Sequence, residues 1–285
     1  MTLFGYDLIA QSFESPLQKS SHATVSLRTH LESTAAQKTE PGWATAFFIE
    51  LRNPADSTSS QLFLATANHA VEAKEGCYFR LTKRLPTGEP DRGETQTITL
   101  HDCSKGWIRD TLNDIAVLPV ERLLGASGID IRSFYVYGFS EESIPSKKEW
   151  GTFYHLSTIT LIGYPRGYID GVNYLPIFYT GHFGSVPNAD FRGREWFIID
   201  LPMNAGSSGS PVVESELLIN HEPSNGNVRL LGLATSLVRK NLERRDYMIR
   251  DTSGTSLPAT IRHDIGLGIA VRSYKILELK RLLFK

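Results

Sequence analysis

The chain has 285 residues, of which 41% are hydrophobic and 21% are charged, and its formal net charge is −1. This length and apolar content suit one large all-β unit or two ordinary domains, with a sizeable core. A nearly neutral chain gives no electrostatic reason to expect nucleic acid or an anionic membrane as a partner. No apolar run approaches the roughly 18 residues that a membrane helix requires, so we predict no membrane span.

The N-terminus lacks the basic start and the apolar stretch of a secretory signal, so we expect a cytoplasmic protein. The two cysteines, Cys77 and Cys103, have no metal-ligand spacing and lie near predicted strands. We expect buried free thiols rather than a disulfide, which agrees with a reducing compartment. We predict no cofactor and no metal site. The basic residues within 239–245 are expected to form a solvated loop.

Short apolar runs separated by turn residues predict β-strands along almost the whole chain. Residues 1–22 precede the first run and are predicted to form an N-terminal extension. Six strands are predicted in residues 23–143, a number that suits one small barrel. They cover residues 23–28, 43–51, 61–67, 77–82, 95–101 and 115–120.

The second half, residues 144–285, begins with a polar connector at 144–149 and continues with further short strands. They cover residues 152–156, 158–163, 174–179, 196–201, 211–213, 229–237 and 267–272. These strands predict a second barrel. The stretch 274–283 has helical periodicity with Ile276, Leu279 and Leu283 on one face, which predicts a C-terminal helix packed on that barrel.

Three short motifs contain residues suited to nucleophilic catalysis. His69 lies at the end of the strand-like run 63–71, and Asp114 directly precedes the apolar run 115–118. Ser208 lies within the sequence Gly-Ser-Ser-Gly-Ser-Pro at 206–211. Glycines allow a turn sharp enough to expose a hydroxyl and to direct two backbone amides toward one point. A hydroxyl, a general base and a carboxylate that orients the base make a catalytic triad.

The spacing of the three residues supports this interpretation. Asp114 follows His69 by 45 positions and Ser208 follows Asp114 by 94, close to the roughly 45 and roughly 93 of the chymotrypsin template. On these motifs, the chain resembles the chymotrypsin-like serine peptidases, most closely the disulfide-free bacterial branch that includes the HtrA-type proteases. Only 77 residues follow Ser208, so we expect no PDZ-like domain.

This resemblance implies an all-β fold of two six-stranded antiparallel barrels, together one peptidase domain, with an active-site cleft between them. It implies that His69 is the general base, that Asp114 orients it, and that the amides of Gly206 and Ser208 bind the oxyanion. The implied partner is a protein or peptide substrate. The residues that it places at the substrate are Pro202, Met203, Thr235, Ser236 and Leu237.

The implied pocket for the P1 side chain offers no charge at Pro202 and a large side chain at Leu237. We therefore predict a preference for small or medium apolar P1 residues. Thr235 matches a position whose hydroxyl supports the buried carboxylate in the family, and it is equally an ordinary strand threonine.

Two other functional classes were weighed. An esterase of the α/β-hydrolase type is excluded by the order of the three residues and by Ser210, which breaks the G-x-S-x-G motif. The alternative that stays open is a latent or non-catalytic trypsin-like module that acts as a regulated effector or binding protein. Residues 1–22 either control such a module or form a mobile tail.

Overall fold

The structure is a computed structural model that describes residues 16–30, 42–125, 128–214, 228–238, 246–250, 256–260 and 266–285. Residues 1–15 of the predicted extension and the basic stretch 239–245 lie outside the described residues. Among those described, no helix is long and apolar enough to cross a membrane. The limits predicted for the extension and for the two halves stay predictions.

The first half folds into one eight-stranded sheet. Seven strands follow the order β5-β4-β1-β2-β3-β7-β6, and β8 pairs in parallel with β2. The strands are β1 (Thr24–His30), β2 (Gly42–Asn53), β3 (Asp56–Ala67), β4 (Gly76–Arg84), β5 (Pro90–Leu100), β6 (Ile108–Asp110), β7 (Ile115–Pro119) and β8 (Phe139–Ser140). The long β2–β3 hairpin forms the centre of the sheet, and its apolar residues fill the core.

The second half contains a closed six-stranded barrel in the order β10-β11-β16-β13-β12-β9, and β14 with β15 makes a separate two-stranded sheet. The strands are β9 (Thr158–Gly163), β10 (Ile177–Phe183), β11 (Trp196–Asp200), β12 (Pro211–Glu214), β13 (Arg229–Leu237), β14 (Asp246–Arg250), β15 (Ser256–Thr260) and β16 (Leu267–Arg272). The predicted all-β, double-barrel class is confirmed, but the sheet of the first half has eight strands and not the predicted six, because the short strands β6 and β8 have too few residues to show a pattern.

Five short α-helices complete the described part of the chain. They are α1 (Pro16–His22), α2 (Asn68–Val71), α3 (Val120–Gly125), α4 (Tyr274–Glu278) and α5 (Lys280–Leu283). The predicted C-terminal helix is thus two short helices. Its apolar residues Ile276, Leu279 and Leu283 are all buried, as their spacing indicated.

The C-terminal helices are joined to the second barrel by Glu195. Its carboxylate accepts from Lys147 at 2.6 Å, from Lys275 at 3.0 Å and from the Tyr274 hydroxyl at 3.0 Å. Burial alone would raise the pKa of Glu195, but the hydrogen bonds from these three groups outweigh it and lower the pKa to about 2. The connector at 144–149, the start of β11 and α4 are therefore linked through one ionised carboxylate.

Two strand predictions in the second half need correction. Residues 152–156 are not a strand: Glu149–Thr152 forms a 3-10 helix. Trp150 and Phe153 then pack against Phe183 and Phe197 inside the barrel. The strand predicted at 174–179 begins at Ile177 because Tyr174 has a left-handed φ of +59° and closes a turn on Asp170. Aromatic packing and turn geometry override the apolar pattern at both places.

The prediction of free thiols, and with it a disulfide-free chain, is wrong. Cys77 and Cys103 are buried, as expected, but they form a disulfide with Cα atoms 5.3 Å apart. The β4–β5 pairing sets Cys77 opposite Leu100, and the chain then turns so that Cys103 N–H donates to the Glu75 carbonyl at 3.3 Å. Strand pairing brings together two cysteines that are 26 positions apart in sequence.

Replacing both Cys77 and Cys103 by alanine is expected to lower the free energy of unfolding by about 3.5 kcal/mol. The reason is that a cross-link between residues 26 positions apart restricts the unfolded chain. Urea unfolding followed by tryptophan fluorescence measures the change. A reducing agent should bring the wild type to the stability of the variant and leave the variant unaffected. Equal stability of the two proteins without reductant would contradict the prediction.

Candidate active site

His69 lies at the edge of the first sheet, where β3 ends and the chain turns at once into α2. Its Nδ1 is 2.7 Å from Asp114 Oδ2, and its backbone N–H donates to Asp114 Oδ1 at 2.9 Å. A carboxylate accepts this bond from an Nδ1–H, and in a neutral ring of that tautomer Nε2 is an acceptor. Half of the His69 side chain is exposed, so a ligand can reach the ring.

Asp114 is positioned by the pairing of β7 with β3, which places Ile115 opposite Ala67. Its φ of +57° is left-handed, a conformation that aspartate tolerates better than most residues. Its carbonyl accepts from Asn68 N–H at 3.0 Å, so its main chain and its side chain both bind the turn that contains His69. The side chain is 27% exposed, so the predicted burial of this carboxylate is only partial.

Ser208 lies in the turn between β11 and β12, between Gly206 (φ +93°) and Gly209 (φ +86°). A Cβ at Gly209 would overlap the carbonyl oxygen of Thr45, so this position needs glycine for space as well as for its φ. Ser208 Oγ donates to the Thr235 carbonyl at 3.1 Å and makes no hydrogen bond with His69. The structure therefore joins His69 and Asp114 by hydrogen bonds, whereas the Ser208 hydroxyl is bound to the main chain of β13.

The backbone amides of Gly206 and Ser208 donate to no group in the described part of the chain. The carbonyls of the two peptides that contain these amides are held by hydrogen bonds: the Ala205 carbonyl accepts from Arg166 N–H, and the Ser207 carbonyl accepts from Ser210 N–H at 3.1 Å. In a trans peptide the N–H points away from the preceding C=O, so Gly206 N–H points away from Arg166. Two unpaired amides in one turn are suited to bind an oxyanion.

Thr45, in the middle of β2, links the first sheet to this turn. Its hydroxyl donates to the Gly206 carbonyl at 2.8 Å and accepts from Tyr164 N–H at 3.1 Å. Its own carbonyl accepts from the Thr66 hydroxyl at 2.7 Å. Thr45 is fully buried, so every one of these bonds is shielded from water. One threonine thus fixes the main chain on both sides of the predicted nucleophile.

Sequence reasoning missed this role of Thr45, which it treated only as part of the predicted strand at 43–51. The available signal was a hydroxyl residue at a buried position of an otherwise apolar strand, since such a residue needs buried partners. It also missed Tyr164, which is buried and whose hydroxyl lies 2.9 Å from the Tyr174 carbonyl and 3.2 Å from the Thr24 carbonyl. Burial raises the pKa of Tyr164, so the hydroxyl stays a donor.

The residues predicted to contact substrate have different environments. Pro202 and Ser236 are exposed, whereas Met203 is 6% exposed and its thioether lies against the Cα of Gly268 on β16. Leu237 pairs with Gly268 across the β13–β16 ladder. Thr235 is buried, and its hydroxyl donates to the Ile269 carbonyl at 3.4 Å rather than to Asp114. Of the two interpretations of Thr235, support of the Asp114 carboxylate or an ordinary strand residue, this geometry corresponds to the second.

Within the described ranges, no group of three or more His, Cys, Asp or Glu side chains is placed so that it could hold a metal ion.

Thr45→Val is expected to lower the free energy of unfolding by about 2–4 kcal/mol, because it leaves the Gly206 carbonyl and the Tyr164 N–H buried without a partner. Valine keeps the shape of threonine, so little of the loss comes from packing. Thr45→Ser retains the hydroxyl and is the matched control, expected to lose less. Both are measured by urea unfolding, and a Val variant as stable as the Ser variant would contradict the role of the hydroxyl.

Comparison with known proteins gives a fold and no closer relative. No known family matches the chain, and no curated protein does. A solved structure of the HtrA-type protease AlgW with a tripeptide matches with a TM-score of 0.51 and 15% identity, over 95% of this chain and 62% of that one. A serine-to-alanine variant of AlgW with a tripeptide matches with a TM-score of 0.50 and 16% identity, over 95% of this chain and 63% of that one.

This chain therefore spans less than two thirds of the length of those AlgW chains. At such low identity the likeness concerns the arrangement of the strands. The chain has the trypsin-like fold of the HtrA-type proteases.

Proposed function

We propose that the protein is a serine endopeptidase that cleaves peptide bonds through an acyl-enzyme. The observation that carries the proposal is the pair of hydrogen bonds between His69 and Asp114, with a glycine-flanked Ser208 and two unpaired amides in the other half of the fold. Each group has the chemical property that its role requires. The trypsin-like fold supports this choice of reaction.

In the proposed mechanism, Ser208 Oγ attacks the carbonyl carbon of the scissile bond while His69 Nε2 takes the hydroxyl proton. Asp114 holds the proton on Nδ1 and stabilises the imidazolium that forms. The amides of Gly206 and Ser208 bind the oxygen that becomes negative in the tetrahedral intermediate. His69 then gives its proton to the leaving amine, and water hydrolyses the acyl-enzyme by the same steps in reverse order.

The reaction requires Ser208 to leave the Thr235 carbonyl and turn toward His69. In this proposal a rotation about χ1 between staggered positions moves Oγ away from Thr235, and the hydrogen bond that it breaks is worth about 1 kcal/mol net. This cost is small compared with a catalytic barrier. In this proposal the bond to Thr235 is the resting position of the nucleophile.

The same bond supports a second candidate, a latent module in which Ser208 stays on β13 until a partner moves it. The two candidates differ in whether the isolated chain reacts at Ser208. Both use the same residues, so one labelling experiment separates them.

We further propose that Met203 restricts the P1 pocket to small side chains. Its thioether occupies the space over Gly268, and Leu237 lies on the opposite strand of the same wall. Neither side chain carries a charge. The proposed pocket is therefore apolar and shallow, in agreement with the preference predicted from the sequence.

A fluorophosphonate probe is expected to label the wild-type protein covalently at Ser208, because the probe reacts only with a hydroxyl activated by a base. Ser208→Ala and His69→Ala should abolish labelling, and Asp114→Asn should slow peptide cleavage by about 10⁴-fold. Mass spectrometry of the labelled protein identifies the modified residue.

Labelling that persists in Ser208→Ala would reject the assignment of the nucleophile. A folded wild-type protein that does not label would favour the latent module over the constitutive peptidase.

Met203→Ala is expected to raise kcat/KM for peptides with leucine at P1, relative to alanine at P1, by roughly tenfold. The enlarged cavity over Gly268 would accept the longer side chain. Leu156→Ala is the control, since Leu156 is 83% exposed and is not one of the residues placed at the substrate. The ratio is measured with a pair of peptides that differ only at P1. An unchanged ratio in Met203→Ala would show that this side chain does not limit the pocket.

A further inference from the structure

Arg28, on β1, lies between two aromatic rings in one row across the first sheet. The strand register places it directly opposite Trp43 on β2 and Tyr78 on β4. Its guanidinium carbon is 4.9 Å from the centre of the Trp43 ring and 5.5 Å from that of Tyr78. Cation–π contacts on both sides fix the plane of the guanidinium without neutralising its charge.

This row lies near the turn that contains Ser208, the proposed nucleophile. Trp43 is two residues before Thr45, so both side chains are on the same face of β2, about 7 Å apart along the strand. Thr45 binds the Ser208 carbonyl. The Trp43 ring packs on the Cα of Gly167, in the segment whose Arg166 N–H orients the Ala205 carbonyl. Arg28 therefore pairs with Trp43, which is two residues from the threonine that binds the turn with the proposed oxyanion site.

The two sides of Ser208 are built from different strands. On one side β13 binds the turn, through Gly209 N–H to the Ala234 carbonyl at 2.7 Å and Ser208 Oγ to the Thr235 carbonyl. On the other side is β2, through Thr45. If the acyl part of a peptide lies along β13, where the proposed P1 pocket is, the part that leaves must lie over β2 and its neighbour β1.

The arginines around this row have no carboxylate partner in the described part of the chain. Arg28 has none, and its Nε is buried without a hydrogen-bond acceptor. Arg80, two residues beyond Tyr78 on the same face of β4, stacks 4.4 Å from the centre of the Tyr174 ring. Arg166, next to Gly167, is exposed. Neither of these two makes an ion pair within the described ranges.

Other arginines of the chain do have acidic partners. Arg132 pairs with Asp130 at 2.8 Å, Arg229 with Glu214 at 2.5 Å, and Arg272 with Asp190. Asp170, the carboxylate in the loop beside Arg166, is occupied by Val172 N–H at 2.8 Å and by Asn173 Nδ2 at 2.7 Å. Among the described residues, no carboxylate therefore pairs with Arg28, Arg80 or Arg166.

We propose that Arg28, assisted by Arg80 and Arg166, binds an acidic side chain of the substrate on the leaving-group side of the scissile bond. This inference rests on the proposed peptidase function, since it uses the direction of a bound peptide. A guanidinium held in plane by two rings presents paired N–H donors to a carboxylate at a low cost in side-chain entropy. The ligand class is a peptide with aspartate or glutamate after the cleaved bond.

The test compares peptides that are identical except for glutamate or glutamine at one of the first three positions after the scissile bond. We expect kcat/KM to be about threefold to tenfold higher for glutamate at one of these positions, and this ratio to shrink at high ionic strength. Arg28→Gln should bring the ratio to about one. Arg28→Lys keeps the charge but loses the planar stacking, and should retain part of the ratio.

Arg192→Gln is the matched control. Arg192 also stacks on an aromatic ring, 5.2 Å from the centre of Phe191, but it belongs to the connection between β10 and β11. Its variant should retain the full preference for glutamate. Thermal unfolding of each variant shows whether it is folded, and Arg28→Lys carries the test if Arg28→Gln is not.

The same peptide pairs are also titrated against Ser208→Ala by fluorescence anisotropy, so the answer does not depend on turnover. Equal affinity and equal cleavage of the glutamate and glutamine peptides at all three positions would overturn the inference and leave the peptidase intact. A wild-type protein that neither cleaves nor labels would instead reject the proposed function. Tighter binding of the glutamate peptide that is unchanged in Arg28→Gln would place the acid-binding site elsewhere and also overturn the inference.

Discussion

The candidate site depends on the hydrogen bonds that Thr45 makes from the first sheet to the turn around Ser208. The histidine and the carboxylate belong to one half of the fold and the serine to the other, so a small displacement between the halves would separate them. Thr45 donates buried hydrogen bonds to the Gly206 and Ser208 carbonyls and accepts one from Tyr164 N–H, and these bonds resist that displacement. Because all are shielded from water, breaking any of them leaves an unpaired polar group, and the turn has few alternative positions.

The two halves of the site are organised to different degrees. The His69–Asp114 pair is held by a ring hydrogen bond, a backbone hydrogen bond and the left-handed turn at Asp114. Among the described residues, the Ser208 hydroxyl has one neutral hydrogen bond, to the Thr235 carbonyl, and no charged partner. The amides of Gly206 and Ser208 are already unpaired. The main chain around the proposed oxyanion site is thus held by more hydrogen bonds than the hydroxyl of the proposed nucleophile.

Much of the fold could be read from alternating and continuous apolar runs, because barrel strands of adequate length carry their own pattern. The six strands of the closed barrel correspond to predicted runs, although β10 begins three residues later than expected at Ile177. The failures share a physical origin. The run at 152–156 follows a 3-10 helix and turns, with Trp150 and Phe153 packed together, and the cysteines were joined by strand pairing. Disulfides of this kind persist mainly in oxidising compartments, so the cysteine argument for a cytoplasmic location no longer holds.

The sequence by itself determined which residues can do chemistry: a histidine after a buried strand, an aspartate before another, and a serine between glycines that permit a left-handed turn. It determined these because each depends on local conformation and on its own neighbours in the chain. Only the tertiary structure decided which groups are partners. Thr45 binds Gly206 across 161 positions, the Thr235 carbonyl accepts from the Ser208 hydroxyl while the Thr235 hydroxyl donates to Ile269, and Arg28 lies between rings from two other strands. The reason is that such contacts are set by strand register and by the docking of the two halves, which no local pattern encodes.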